Sequence, residues 1–252
     1  STLNDQLDAK GLIFTSAKSV FIAGADITEF SAVFKGHARD LKIFLDKANN
    51  AFNKIESLPY PTVASINGFA LGGGFELCLA CDFRVMSSKA VVGLPETKLG
   101  IIPGWGGTVR LPRLIGFDNA IEWIASGSHK KSAQALADGA VDAIVEPELL
   151  REEALGMLAA AANGCLDYQK RRKQKQMPLQ LNDNELAMAV NTSRAVIFSK
   201  VGANYPAPIV ALDALSRAAR LKRDAALEVE FQAFSKLSFT AECRSLVGIF
   251  TS

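Results

Sequence analysis

Pro61-Thr-Val-Ala-Ser-Ile-Asn-Gly68 leads into Leu71-Gly72-Gly73-Gly74-Phe75-Glu76, and further on stand Leu94-Pro95-Glu96 and Gly100-Ile-Ile-Pro-Gly104-Trp-Gly106-Gly107. The apolar segment from Val63 to Ile66 predicts a buried strand. Three consecutive glycines then let the chain bend tightly and bring bare backbone N–H groups close to a ligand. A helix starting there has Glu76 in its first turn, where a carboxylate suits the positive helix end. The N–H groups that such a helix start leaves unused can bind a developing anion. Glu96 follows a proline inside an apolar run and precedes a loop rich in glycine, where an unpaired carboxylate is costly unless it is used. Taken singly, each segment reads first as structure: a glycine turn with a favourable helix-start charge, and a structural acid.

Together the two acid segments resemble the enoyl-CoA hydratase (crotonase) family, in which a Gly-Gly-Gly-X-Glu segment and a Pro-Glu segment carry the catalytic acids. Upstream, Phe21-Ile22-Ala23-Gly24-Ala25-Asp26-Ile27-Thr28-Glu29-Phe30 resembles that family's Ala-Gly-Ala-Asp loop. Gly93-Leu-Pro-Glu-Thr-Lys-Leu-Gly100, Arg110-Leu-Pro-Arg-Leu-Ile-Gly116 and Tyr205-Pro-Ala-Pro208 narrow the resemblance. They are similar to the amino-terminal hydratase/isomerase region of the alpha-subunit family of bacterial fatty-acid oxidation complexes, over essentially the whole chain.

The chain has 252 residues, of which 49% are hydrophobic and 21% charged, enough for a substantial core. A formal net charge of +2 gives no general reason to invoke nucleic acid or a membrane surface. No apolar run approaches the roughly 20 residues that span a bilayer, and Ser1-Thr-Leu-Asn-Asp-Gln does not read as a signal peptide. A cytoplasmic location is the default expectation. Of the four cysteines only Cys78 and Cys81 are close, and with two histidines in the chain a zinc site is disfavoured. That pair lies within an apolar helical stretch, where buried packing is expected of it.

Taken in order, Leu3 to Leu7 reads as the end of a helix and Gly11 to Thr15 as a short strand. Leu41, Phe44, Leu45, Ala48, Phe52 and Ile55 recur at helical spacing, predicting an amphipathic helix over residues 40–58 that stops at Pro59 and Pro61. Further strands are expected at Phe83 to Met86, Val91 to Leu94 and Val141 to Val145. The alternation of strands and helices argues for an α/β fold, and the resemblance implies a crotonase-like spiral of strand-strand-helix turns. After Pro147 the pattern turns helical, with candidates at 149–162, 184–201, 209–221 and 225–237, so residues 1–146 are expected as the α/β core and 147–252 as a helical C-terminal region. Lys170-Arg-Arg-Lys-Gln-Lys175 reads as a solvated loop. Against the family the chain starts late, as if lacking the first strands, which would leave a sheet edge uncovered and make the piece unstable or self-associating.

The resemblance implies hydration of an enoyl thioester, with isomerisation of its double bond from Δ3 to Δ2 credited to the same region. Glu76 and Glu96 would hold the attacking water and handle the protons, acid–base work worth roughly 10² to 10⁴ in rate. The N–H groups of Ala25 and Gly73 would bind the thioester oxygen. Asp26 would order its loop and Gly104 make room near Glu96, both in the substrate pocket. No metal or separate cofactor is implied, since coenzyme A belongs to the acyl-CoA substrate. Thr28 replaces a lysine that many relatives place near the coenzyme A phosphates, leaving those contacts open. The alpha-subunit resemblance also implies a following 3-hydroxyacyl-CoA dehydrogenase part and a thiolase partner subunit, and a homo-oligomer is compatible with it. The rival reading is an inactive acyl-CoA-binding or scaffold fragment. A serine hydrolase is disfavoured because neither His37 nor His129 has a serine elbow nearby, and a dinucleotide enzyme because neither glycine cluster gives Gly-X-Gly-X-X-Gly.

Overall fold

The computed structural model describes residues 9–24, 38–202 and 205–250. The expected helix end at Leu3 to Leu7, Ala25, Asp26, Thr28 and His37 lie outside these residues.

Strands β1 (Leu12–Phe14), β2 (Thr62–Ile66), β4 (Phe83–Ser87) and β7 (Ala143–Val145) form a parallel sheet in the order β1-β2-β4-β7. Its register sets Ile13 beside Val63, Val63 beside Phe83 and Val85 beside Ala143. β2 and β4 are buried at every position, as expected of parallel strands covered on both faces. Alternation splits them into two packing sets. Val63, Phe83 and Val85 meet Leu150, Ala154 and Ala161 of α6 (Leu150–Ala162), while Ala64, Ile66 and Met86 join the main core. A second sheet runs β3 (Phe69–Leu71), β5 (Val91–Gly93) and β6 (Lys130–Lys131), parallel across the first pair and antiparallel across the second.

The expected strand-strand-helix turns are present. β2 and β3 are followed by α2 (Gly73–Ala80), and β4 and β5 by a 3-10 turn (Glu96–Leu99) and α3 (Gly107–Ile115). α1 (Ala38–Glu56) precedes them with Leu41 and Leu45 buried. α4 (Phe117–Ser126) brings Trp123 to stack on Phe75, with ring centroids 5.9 Å apart. A short α5 (Ser132–Ala137) leads to β7. The helical C-terminal region comprises α6, α7 (Tyr168–Gln176), α8 (Asp183–Val201), α9 (Pro206–Ala218), α10 (Arg223–Ser238) and α11 (Ala241–Phe250). Leu212, Leu215, Phe234 and Leu237 from α9 and α10 belong to the same core as Phe75 and Trp123.

The basic cluster expected as a solvated loop is instead the body of α7, and three of its cations point inward. Arg172 donates to Asp82 through Nε at 2.8 Å and Nη2 at 2.7 Å. Arg171 reaches Asp142 at 2.6 Å, and the buried Lys175 donates to the carbonyls of Ala80 at 2.9 Å and Cys81 at 2.7 Å. Charge runs are ordinarily solvated, but here the matching acids are supplied by turns at the ends of β4 and β7, far away in sequence.

Glu56, 3% exposed at the end of α1, is the centre of a buried ion-pair group. It accepts from Arg110 of α3 at 2.8 Å and Arg223 of α10 at 2.7 Å, with Lys175 of α7 at 3.7 Å. Burial works to raise its pKa, but the three cations prevail and lower it to about 2. Because the folded value lies below the unfolded one, this stabilisation is present above about pH 4.5 and is lost as pH falls toward 2. Glu56→Gln should therefore cost about 3–5 kcal/mol at pH 7, the usual penalty for removing one side of a buried pair. Denaturant midpoints at pH 7 and pH 3 check this, and the difference between wild type and variant should narrow at the lower pH.

Candidate active site

α2 begins directly after Gly72, whose φ of +55° is a conformation that L side chains rarely adopt. A Cβ at Gly72 would also stand 2.8 Å from Glu96 Oε1, so the glycine lets the second acid approach the first helix turn. At Gly73 an added Cβ would lie 2.2 Å from the Trp105 ring. The Gly73 N–H heads the helix and takes no hydrogen bond among the described residues. At the other end of α2, Lys175 and Arg84 donate to the carbonyl of Cys81, matching cations to the negative helix end.

Glu76 falls in the first turn of α2 and is 2% exposed. Its Oε1 accepts from the backbone N–H of Trp105 at 2.8 Å and of Gly107 at 2.7 Å. Glu96 opens the 3-10 turn. It is partly buried as a residue, but its Oε2 is shut off from solvent and has no partner among the described residues. Both acids line one cavity of about 490 Å³, together with Gly73 and Gly104. Its apolar wall includes Leu45, Trp105, Phe234, Leu246 and Phe250, while the exposed Lys98 and His129 also border it. Gly104 makes room for Phe234 and Leu45, since an added Cβ would stand 2.8 Å from the Phe234 ring and 3.2 Å from Leu45.

The cavity brings together Glu76, Glu96, Gly73 and Gly104, while Ala25 and Asp26 lie outside the described residues. Sequence reading missed Glu230. This α10 residue is 1% exposed and accepts from Gly106 N at 2.7 Å, Thr108 N at 2.9 Å and Thr108 Oγ1 at 2.5 Å. No local motif marks it, because its partners stand more than 120 positions earlier.

Three carboxyl groups in so little water resist ionisation. Burial, then Glu96 and Glu230, push the Glu76 pKa well above the usual carboxylate range against its two backbone donors. Burial, with Glu230 adding to it, raises Glu96 to about 8. Burial likewise raises Glu230 to about 7 despite its three hydrogen bonds. Cys78 and Cys81 are buried within and at the end of α2, their thiols bonded to the carbonyls of Gly74 and Leu77. Burial raises both thiols, Cys81 to about 12, so they are packing groups.

The family model described as enoyl-CoA hydratase/isomerase matches residues 1–204. The chain belongs to the enoyl-CoA hydratase/isomerase family. Within that family it is 53% identical over 247 residues to the fatty acid oxidation complex subunit alpha of Pseudomonas putida strain GB-1, covering 97% of this chain and 34% of that one. It is 50% identical over 246 residues to the same subunit of Psychrobacter cryohalolentis, with the same coverage. The chain thus spans about a third of the length of the curated relatives it matches. A solved enoyl-CoA hydratase from Bacillus anthracis superposes with a TM-score of 0.58 at 31% identity, over 99% of this chain and 81% of that one. The enoyl-CoA hydratase from Bacillus halodurans shares the fold at a TM-score of 0.69, with 23% identity and coverage of 98% and 84%. Among the described residues of this hydratase/isomerase-family chain, no helix is long and apolar enough to cross a membrane.

The raised carboxyl pKa values have a stability consequence of opposite sign to that of Glu56. A folded value above the unfolded one favours the protonated native state, so stability is fully present below about pH 4.5 and declines as pH rises toward 8 for Glu96. Glu96→Gln removes that ionisation. The variant should match wild type near pH 5 and melt at a higher temperature than wild type at pH 8, as thermal unfolding scans across this range would show.

Proposed function

We propose that the chain adds water across the double bond of a trans-2-enoyl-CoA thioester in fatty-acid β-oxidation, and that the same pocket shifts a Δ3 double bond to Δ2. The observation that carries this reading is the convergence of Glu76 and Glu96 on one largely apolar cavity headed by the Gly73 N–H, which has no acceptor among the described residues. Water attacks the β-carbon and gives up a proton, the α-carbon gains one, and the thioester oxygen carries negative charge in between. The two glutamates receive and return the protons. The Gly73 N–H, with that of Ala25 as the expected second donor, stabilises the enolate oxygen; one such donor is typically worth about 10² to 10³ in turnover. Glu76 is held through Oε1 by two backbone bonds, while Glu96 brings an oxygen with no partner among the described residues. Lys98 offers positive charge on the exposed side of the cavity for the coenzyme A phosphates. Asp26 is assigned to ordering the Ala25 loop. The chemistry uses no metal and no cofactor beyond the coenzyme A of the substrate.

The similarity to alpha subunits of a fatty acid oxidation complex supports a place in a multienzyme assembly. We assign residues 1–146 to the catalytic core and 147–252 to a helical region that helps close the pocket. The remaining partners would be a 3-hydroxyacyl-CoA dehydrogenase part and a thiolase subunit, in the cytoplasm.

Loss of crotonyl-CoA absorbance on hydration tests the reaction directly, and a folded protein that binds crotonyl-CoA without turnover would favour the binding-fragment reading. The two acids should separate in a paired assay. Glu76→Gln should lower both hydration and isomerisation by about 10² to 10⁴. Glu96→Gln should lower hydration by a similar factor and leave a larger share of isomerisation, since moving a proton between carbons can be run by one carboxylate. Equal losses of both activities in Glu96→Gln would refute this division.

A further inference from the structure

Four consecutive backbone N–H groups at the start of α3 are taken alternately by two carboxylates from distant parts of the chain. Trp105 and Gly107 donate to Glu76 Oε1, whereas Gly106 and Thr108 donate to Glu230 Oε1 and Oε2. The Thr108 hydroxyl adds a third bond to Glu230 Oε2. Both Glu230 oxygens are therefore engaged inside the protein, and the residue does not line the cavity that Glu76 and Glu96 share. The charged groups acting around it are Glu76 from α2, Glu96 from the 3-10 turn and Arg110 from α3. Arg110 is itself committed to Glu56, Asn53 and the Trp105 carbonyl.

Burying a third carboxyl beside two others is unfavourable unless its contacts need that place. Holding a helix start alone would be done as well by a serine, threonine or asparagine cap. What Glu230 adds is reach from α10 to the same turn that grips Glu76. We propose that Glu230 is a positioning residue for the reaction: by fixing Gly106 and Thr108 it sets where the N–H groups of Trp105 and Gly107 point, and so holds the Glu76 carboxyl in its working orientation. The proposal rests on the reading of Glu76 as an acid–base group.

Glu230→Gln tests it, since glutamine keeps the shape, loses the charge and can accept with one oxygen only. Turnover of crotonyl-CoA should fall about 10²-fold with KM little changed, the scale expected when a reacting group is displaced slightly. A second readout does not depend on turnover: the Gly107 amide resonance, followed by NMR against pH, reports ionisation of Glu76. With one neighbouring negative charge gone, its midpoint should move to lower pH. Thermal unfolding establishes that the variant is folded. If it is not, Thr108→Val removes one donor to Glu230 and should move both readouts in the same directions by less. A folded variant whose Gly107 amide titrates at the wild-type midpoint overturns the proposal, whatever its turnover. A wild-type protein that leaves crotonyl-CoA unchanged overturns the hydration reading instead, and the amide titration still decides whether Glu230 governs Glu76.

Discussion

A carboxylate removed from water must be paired with a cation, given hydrogen-bond donors, or allowed to keep its proton, and this protein divides its buried acids among those three solutions by position. On the side of α2 away from the cavity, Glu56, Asp82 and Asp142 are met by Arg110, Arg223, Arg172, Arg171 and Arg84. On the cavity side, Glu76 and Glu230 accept from backbone and hydroxyl donors, and Glu96 keeps an oxygen unpartnered among the described residues. The first group is a set of fixed charges that binds helices together. The second is a set of acids that burial pushes above the usual carboxylate range, Glu96 to about 8 and Glu230 to about 7.

α2 joins the two halves. Its amino end presents an unused N–H at Gly73 beside Glu76, and its carboxyl end is occupied by Lys175 and Arg84. Cations at the carboxyl end satisfy the last carbonyls and complement the helix dipole, whose positive end then faces the cavity. The same short segment therefore requires glycine at one end and buried cations at the other. This explains why Lys175 of so polar a cluster is buried, while Lys170, Lys173 and Gln174 stay exposed.

What was legible in the sequence followed from distance along the chain. The β2 strand, the glycine turn and Glu76 in the first helix turn are local features, read from adjacent residues, and the amphipathic α1 followed from its spacing. The α7 cluster was misread because its acids, Asp82 and Asp142, lie 90 and 29 positions away in sequence from Arg172 and Arg171. Glu230 was invisible for the same reason, at 124 positions from Gly106. α3 carries Pro112 inside it, a residue that ordinarily ends a helix. The missing side chain of Gly104 also makes space for Phe234, a contact across 130 positions that no local pattern encodes.

The proposed chemistry needs an acid and a base from two residues of the same type, so their environments must separate them. The geometry supplies an asymmetry. Glu76 is fixed through one oxygen by two N–H groups that favour its ionised form, and burial among other acids opposes them. Glu96 has only its own backbone N–H favouring the ionised form, and burial outweighs it and holds the proton to about pH 8. Because the acids act on one another, ionising one makes the next harder to ionise, and protons belong to the group more than to any member. Such a group can take a proton from water at one carboxyl and deliver one to carbon from the other with little net change in buried charge. That economy requires the orientation of Glu76 to be held independently of its charge, which a clamp made of successive backbone N–H groups can do.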